Sequence, residues 1–375
     1  MKSFYIKNYK TFKELTIPKL DRVNLIWGLN NSGKSTLLEA ISLSASKGSL
    51  FEMYKILNLR GEDVSALQGS REVAIRDEVN SFLPLVTNFS VELLSQDGLT
   101  LGESEIDNTT IKIVKRYRVP SDRENAEMTD SYTIKTIPYY EDPEEITYED
   151  CHPALKVEHH PNSEISYIQL SGQGLRTNLL KRSLDIAPCK YMTCRSTQFE
   201  DIDELWNAIS MTEYEKYVLE TLRIIEPRIA RFNVLSEKNG SLRLEYIPYV
   251  LLDGTDRKMR LSAMGDGINR VVMIVLSLIN CRNGYFLLDE FENGLHYTVQ
   301  LKLWNIIFEL AEKLNIQVFV TTHSNDCIGS FAKVALQKNE GIAIRLDHMP
   351  TGIKSQHYEN MNDLLFAIQS GIELR

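Results

Sequence analysis

The stretch Gly28-Leu-Asn-Asn-Ser-Gly-Lys-Ser35 constrains this chain more than any other, because it fits G-x-x-x-x-G-K-[ST]. It follows an apolar run, Val23-Asn-Leu-Ile-Trp27, and precedes Thr36-Leu-Leu-Glu-Ala-Ile-Ser-Leu43, which reads as a helix. Strand, glycine-rich loop and helix in that order are the setting a phosphate-binding loop requires. Gly28 and Gly33 let the backbone curl so that the N–H groups around Asn30, Asn31 and Ser32 turn inward toward a polyphosphate. The new helix adds its positive dipole end. Lys34 is expected to reach the β- and γ-phosphates, and the Ser35 hydroxyl, beside Thr36, to hold Mg²⁺. A nucleoside triphosphate is the ligand these residues predict.

At 375 residues and 43% apolar content, the chain can bury a sizeable core in one large or two modest domains. No apolar run approaches the length of a transmembrane helix, and Met1–Lys7 lacks the apolar stretch of a signal peptide. Five cysteines, Cys151, Cys189, Cys194, Cys281 and Cys327, form no paired framework. A cytoplasmic location and no membrane partner are expected. Cys151-His152, His159-His160 and Cys189-x₄-Cys194 match no standard zinc spacing, so no structural metal is predicted.

The net charge of −9 is concentrated in one place. Between Ser121 and Ile165 stand twelve Asp and Glu against Arg123, Lys135 and Lys156, which leaves the remaining chain neutral. Such a run reads as a solvated insertion or as a docking surface for a basic protein. It would repel the phosphates of DNA.

The ends of the chain read as one domain and the middle as an insertion. Phe4–Tyr9 and Leu15–Ile17 predict a hairpin before the phosphate-loop strand. From about Gly61 to Lys190, strand-like pieces alternate with turn residues: Phe89–Leu94, Thr110–Val114, Tyr132–Ile137 and Ile165–Leu170. Helical spacing returns from Asp201 to Ile225, and Ile229–Ser236 and Ser241–Val250 read as strands joined by Lys238-Asn239-Gly240. The expected organisation is an N-terminal half over 1–60, an inserted strand-rich region over 61–195 and a C-terminal half over 196–375.

Gly284-Tyr-Phe-Leu-Leu-Asp-Glu-Phe-Glu-Asn-Gly294 describes a buried strand with Asp289 and Glu290 at its C-terminal tip. Ligands of open α/β sheets bind at such tips. Asp289 is expected in the Mg²⁺ shell, and Glu290 where it can polarise a water for attack on the γ-phosphate. A third strand, Gln317–Thr322, ends in His323-Ser324.

Phosphate loop, apolar-Asp-Glu and apolar-Thr-His-Ser, in that order, resemble the ABC-type ATPases of the RecF, SMC and OLD (overcoming lysogenization defect) group. Ile6–Phe12, Asn30–Ile41 and Asp289–His296 look very much like that group, and the resemblance covers roughly residues 1–45 and 200–375. It implies an α/β fold: an ABC-type P-loop ATPase head with a mixed, largely parallel sheet flanked by helices, an antiparallel β subdomain and an inserted middle domain. It implies ATP with Mg²⁺ as cofactors, His323 as a switch histidine on the γ-phosphate, and Glu292–His296 as a loop facing a dimer partner. Residues around Lys10–Lys13 would lie near the base.

The same group takes a signature motif from a second subunit. Here the candidate is Leu261-Ser-Ala-Met-Gly-Asp-Gly-Ile-Asn-Arg270, followed by the apolar helix Val271–Ile279. It departs from the usual Leu-Ser-Gly-Gly-Gln form, since Ser262 lies three residues before Gly265. Gly265, Asp266 and Gly267 resemble smaller standalone members near the OLD group, and the glycines would present backbone N–H groups to the partner's γ-phosphate. Gln169, Gln173 and Gln198 are all candidates for a Gln-loop. Full OLD-type proteins carry a TOPRIM nuclease after the ATPase, for which Ser324–Arg375 is expected to be too short. The resemblance implies a homodimer or higher homo-oligomer that switches a separately encoded effector, nuclease or toxin-like, as in bacterial anti-phage defence. A RecF-like DNA-binding ATPase of repair and recombination is the alternative.

Overall fold

Val23–Trp27 is buried at every position, as a central strand of a parallel sheet must be. The computed structural model describes residues 1–62, 79–120, 132–141, 151–170, 186–193, 202–238 and 244–370. Gln173, Cys194, Gln198, the Asn239-Gly240 turn and positions 121–131 and 142–150 of the acidic run lie outside the described residues.

The expected opening hairpin forms from β1 (Phe4–Tyr9) and β2 (Phe12–Ile17), followed by β3 (Val23–Trp27). Helix α1 (Lys34–Ala45) is buried from Thr36 through Leu43, and α2 (Leu50–Leu59) follows it. The Phe89–Leu94 stretch is not a strand. Ser90 caps α3 (Val91–Gln96) by accepting the Leu93 N–H, and a local side-chain cap of this kind outweighs an ambiguous apolar run.

The middle strands β4 (Leu99–Gly102), β5 (Asn108–Pro120), β6 (Tyr132–Pro138), β7 (Cys151–His159) and β8 (Glu164–Gln169) extend the hairpin's own sheet. The antiparallel order is β2-β1-β4-β5-β7-β8, with β6 also paired to β5. Ile111, Ile113, Leu155 and Val157 alternate inward along β5 and β7, the period-two signature of a half-buried sheet.

After β9 (Cys189–Met192) come α4 (Ile202–Asn207) and α5 (Glu215–Ile225). Strands β10 (Ile229–Lys238), β11 (Leu244–Leu252) and β12 (Lys258–Arg260) make a separate antiparallel sheet. The chain then runs α6 (Asp266–Ile279), β13 (Tyr285–Leu288), α7 (Tyr297–Lys313), β14 (Gln317–Thr322) and α8 (Asn325–Lys338). It continues through β15 (Ile342–Met349), β16 (Gly352–Tyr358) and α9 (Met361–Gln369). The last helix begins at Met361, where the Asn360 side chain caps it by accepting the Asn362 N–H.

The second large sheet has the order β16-β15-β3-β14-β13-β9, parallel throughout except for β16. Its strands bury both faces. Leu25, Trp27, Leu288 and Val320 pack against α6, α7 and α8, whereas Ile26, Leu287 and Phe319 pack toward α1 and the antiparallel sheet. Asn24 is fully buried within β3, and its side-chain amide bonds the Asp21 and Val318 carbonyls at 2.7 and 3.1 Å. Among the described residues, no helix is long and apolar enough to cross a membrane.

Candidate active site

Strand order decides which sequence motifs meet. β14 lies between β3 and β13, so the phosphate loop, the Asp289-Glu290 tip and the Thr322-His323 end share one edge of the parallel sheet. This is the C-terminal edge, where α/β sheets place their ligands.

The phosphate loop leaves β3 at Gly28, whose φ is +151°. A Cβ there would stand 2.3 Å from the Leu346 carbonyl oxygen and 2.8 Å from Ser32 Oγ, so only glycine fits. Asn30 and Asn31 are exposed, and Asn31 takes a left-handed φ of 64°. Gly33, with φ 91°, precedes α1 and lies against Phe12 and Ile353. The Ser32 hydroxyl is buried with no hydrogen-bond partner among the described residues. Such an orphan fits a loop whose polar groups are meant for phosphate oxygens.

Lys34, Ser35 and Thr36 open helix α1. Lys34 Nζ donates to the Gly28 and Leu29 carbonyls, each at 2.9 Å. Burial pushes the Lys34 ammonium below its usual pKa, while the charges of Asp289, Glu290 and Glu292 pull it back up. The basic and acidic motifs therefore sense one another across β14.

Asp289 is buried, and one of its carboxylate oxygens accepts the Thr321 hydroxyl. Thr321 Oγ also accepts the Glu290 N–H at 2.9 Å, so one buried threonine on β14 orients both acidic residues. Glu290 takes a left-handed φ of 52°, which is strained for a residue with a side chain. Arg270 secures that geometry from outside the strand: its guanidinium donates to the Glu290 carbonyl at 2.7 Å and the Asp289 carbonyl at 3.1 Å.

His323 follows β14, with its side chain half exposed. Glu292 accepts from its backbone N–H at 2.8 Å and lies 2.9 Å from its ring Nδ1. In the loop expected at a dimer face, His296 caps α7 and accepts the Thr298 N–H.

Ser262, Gly265 and Asp266 are exposed at the start of α6, and a Cβ on Gly265 would meet nothing within 4 Å. Gly267 instead packs inward, where a Cβ would stand 2.8 Å from the Gly294 carbonyl oxygen. The candidate signature thus touches the Asp289–Gly294 loop of its own chain through Gly267 and Arg270. Lys10, near the expected base position, is ion-paired at 2.7 Å to Glu39 of α1. Gln169 ends β8 in the antiparallel sheet.

Lys34, Asp289 and His323 follow the ends of β3, β13 and β14 respectively, each just beyond its strand. Thr321, Arg270 and Glu292 gain their partners only through strand order, which spacing does not reveal. A phosphate loop and a strand-end acid pair on two parallel strands flanking a third define a P-loop ATPase. The chain belongs to the AAA ATPase domain family, whose model matches residues 1–328, and it is an ATPase. It is 24% identical over 356 residues to an ATP/GTP phosphatase of Helicobacter pylori, with 90% of this chain and 89% of that one covered. An uncharacterized protein of Methanocaldococcus jannaschii is 30% identical over 118 residues, which is 30% of this chain and 99% of that one. Among solved structures, an SMC head bound to the C-winged helix domain of ScpA is 14% identical with a TM-score of 0.45, covering 95% of this chain and 97% of that chain. An SMC head domain from Thermotoga maritima is 12% identical with a TM-score of 0.41, covering 95% and 98%.

Proposed function

We propose that this chain is an ABC-type ATPase of RecF/OLD character that closes as a homodimer around ATP and thereby switches a separate effector protein. The observation that carries the reading is the convergence of Lys34, Asp289, Glu290 and His323 on the C-terminal ends of three adjacent parallel strands. In this reading Lys34 holds the β- and γ-phosphates, Glu290 orients the attacking water and His323 contacts the γ-phosphate. The donor set of one carboxylate, Asp289, and one hydroxyl, Ser35, suits Mg²⁺, which binds through few protein ligands and completes its shell with water and phosphate oxygens. Bound there, the ion would neutralise charge developing on the phosphates.

Gly265, with its neighbours Ser262 and Asp266, faces outward at the N-terminus of α6, a 14-residue helix. That placement suits donation of backbone N–H groups to a partner's nucleotide. Closure on ATP and opening on hydrolysis form the two-state element that ligand biases. Residues 61–195 carry the change to the effector.

The test uses tagged Glu290→Gln, recovered from its native host with ATP and Mg²⁺, with bound protein and nucleic acid identified separately. A stoichiometric protein partner supports the effector switch. Nucleic acid without a protein partner replaces it with a DNA-binding ATPase.

A further inference from the structure

Glu292 lies two residues beyond Glu290, and its carboxylate collects three donors from two consecutive residues of the β14 end. One oxygen accepts the Thr322 hydroxyl at 2.7 Å. The other accepts the His323 N–H at 2.8 Å and lies 2.9 Å from His323 Nδ1. Thr322 Oγ is itself fixed, because it accepts the Ser324 N–H at 3.0 Å.

The carboxylate is also held from its own side. Phe291 is fully buried, stacks on Trp304 at 4.4 Å between ring centroids, and donates its N–H to the Thr321 carbonyl at 3.0 Å. Glu292 therefore leaves a backbone stapled to β14 and anchored in the core. Its side chain is 12% exposed against 50% for His323, so a mostly buried acid holds a mostly accessible imidazole.

We propose that Glu292 is a positioning residue for ATP hydrolysis, fixing the ring of His323 so that Nδ1–H points at the carboxylate and Nε2 is presented to the γ-phosphate. An ionised carboxylate only accepts hydrogen bonds, so the nitrogen facing it must carry a proton. The other nitrogen is then set by that bond, the way an acid orients the histidine of a hydrolytic triad or a metal site. Without Glu292 the ring is free to rotate about χ2 and to take the other tautomer. The inference rests on the proposed contact between His323 and the γ-phosphate.

A double-mutant cycle tests it, with steady-state hydrolysis and nucleotide affinity measured for Glu292→Ala, His323→Ala and the pair. Glu292→Ala is expected to lower kcat about tenfold or more while nucleotide affinity is unchanged. The double variant should be no slower than His323→Ala alone, because a residue acting through the ring has nothing left to position. Glu292→Gln keeps one oxygen acceptor for His323, so its rate should be intermediate, and it carries the test if the alanine variant does not fold. Losses that multiply in the double variant, or a Glu292→Gln rate equal to that of the unmodified protein, overturn the inference. A full hydrolysis rate in His323→Ala instead removes the assignment of His323 itself, and with it any role for Glu292 exerted through that ring.

Discussion

Glu290, the residue proposed as base, combines a carboxylate with a backbone conformation that side chains disfavour. Its φ of 52° costs of the order of 1–3 kcal/mol, which the surroundings must offset. Thr321 holds its N–H and Arg270 its carbonyl, so the carboxylate leaves a backbone fixed at both ends. Hydrolysis without Glu290 should therefore fail at the chemical step and not at binding. Glu290→Gln is expected to lose about 100- to 10,000-fold in kcat with ATP affinity retained, whereas Lys34→Ala should lose ATP binding in a filter or calorimetric assay. Hydrolysis by Glu290→Gln at the unmodified rate would remove its assignment as base. The placement of Lys34, Asp289, Glu290 and His323 just beyond three strands was legible in the sequence, because each follows a short apolar run. Thr321 stands two residues before His323, yet its contacts with Asp289 and Glu290 depend on β14 lying next to β13.

The element that joins the parts of the site is α6. It begins at the exposed Gly265 and, one helical turn past Gly267, places Arg270 on the two carbonyls of the acid pair. The start of this helix is therefore linked to the backbone of the acid pair through the Arg270 side chain. Hydrogen bonds from a charged donor contribute about 1.5–3 kcal/mol each, so Arg270→Ala should lower kcat about tenfold or more. ATP affinity, set by the phosphate loop on another strand, should persist; a loss of affinity in place of rate would refute the assignment. The apolar run after Gly267 made the helix readable, but not the partner of its arginine. Local signals misled once, at Phe89–Leu94, where a serine cap turned an apolar stretch into the short helix α3. Six residues are too few for periodicity to separate the two forms.

At the scale of the molecule, two hydrophobic clusters occupy the two faces of the parallel sheet, and α1 runs between that sheet and the antiparallel one. Glu39, buried within α1, ties that helix to Lys10 at the hairpin tip and to Arg60 after α2, each at 2.7 Å. Burial lowers the Lys10 pKa, and the Glu39 carboxylate opposes that shift. The strand-like pieces marked a strand-rich region in the middle of the chain. That its strands would pair edge-on with the opening hairpin, Ile6 opposite Leu101, is a long-range contact that no local pattern encodes. Gly265 and its exposed neighbours face away from the chain's own core, which is the feature a shared site would need.

The central claim, a site completed by a second copy, is tested most directly by complementation between two inactive variants. Lys34→Ala removes the phosphate-loop lysine but keeps the candidate signature, and Gly265→Ala keeps the loop but alters the candidate signature. Each should hydrolyse little ATP alone, with its fold checked by thermal melting. Mixed after subunit exchange, they should recover hydrolysis well above the sum of the two, because one site in each mixed dimer is intact. A mixture that stays at the sum, or a Gly265→Ala protein as active as the unmodified chain, would place the whole site within one subunit and contradict the account.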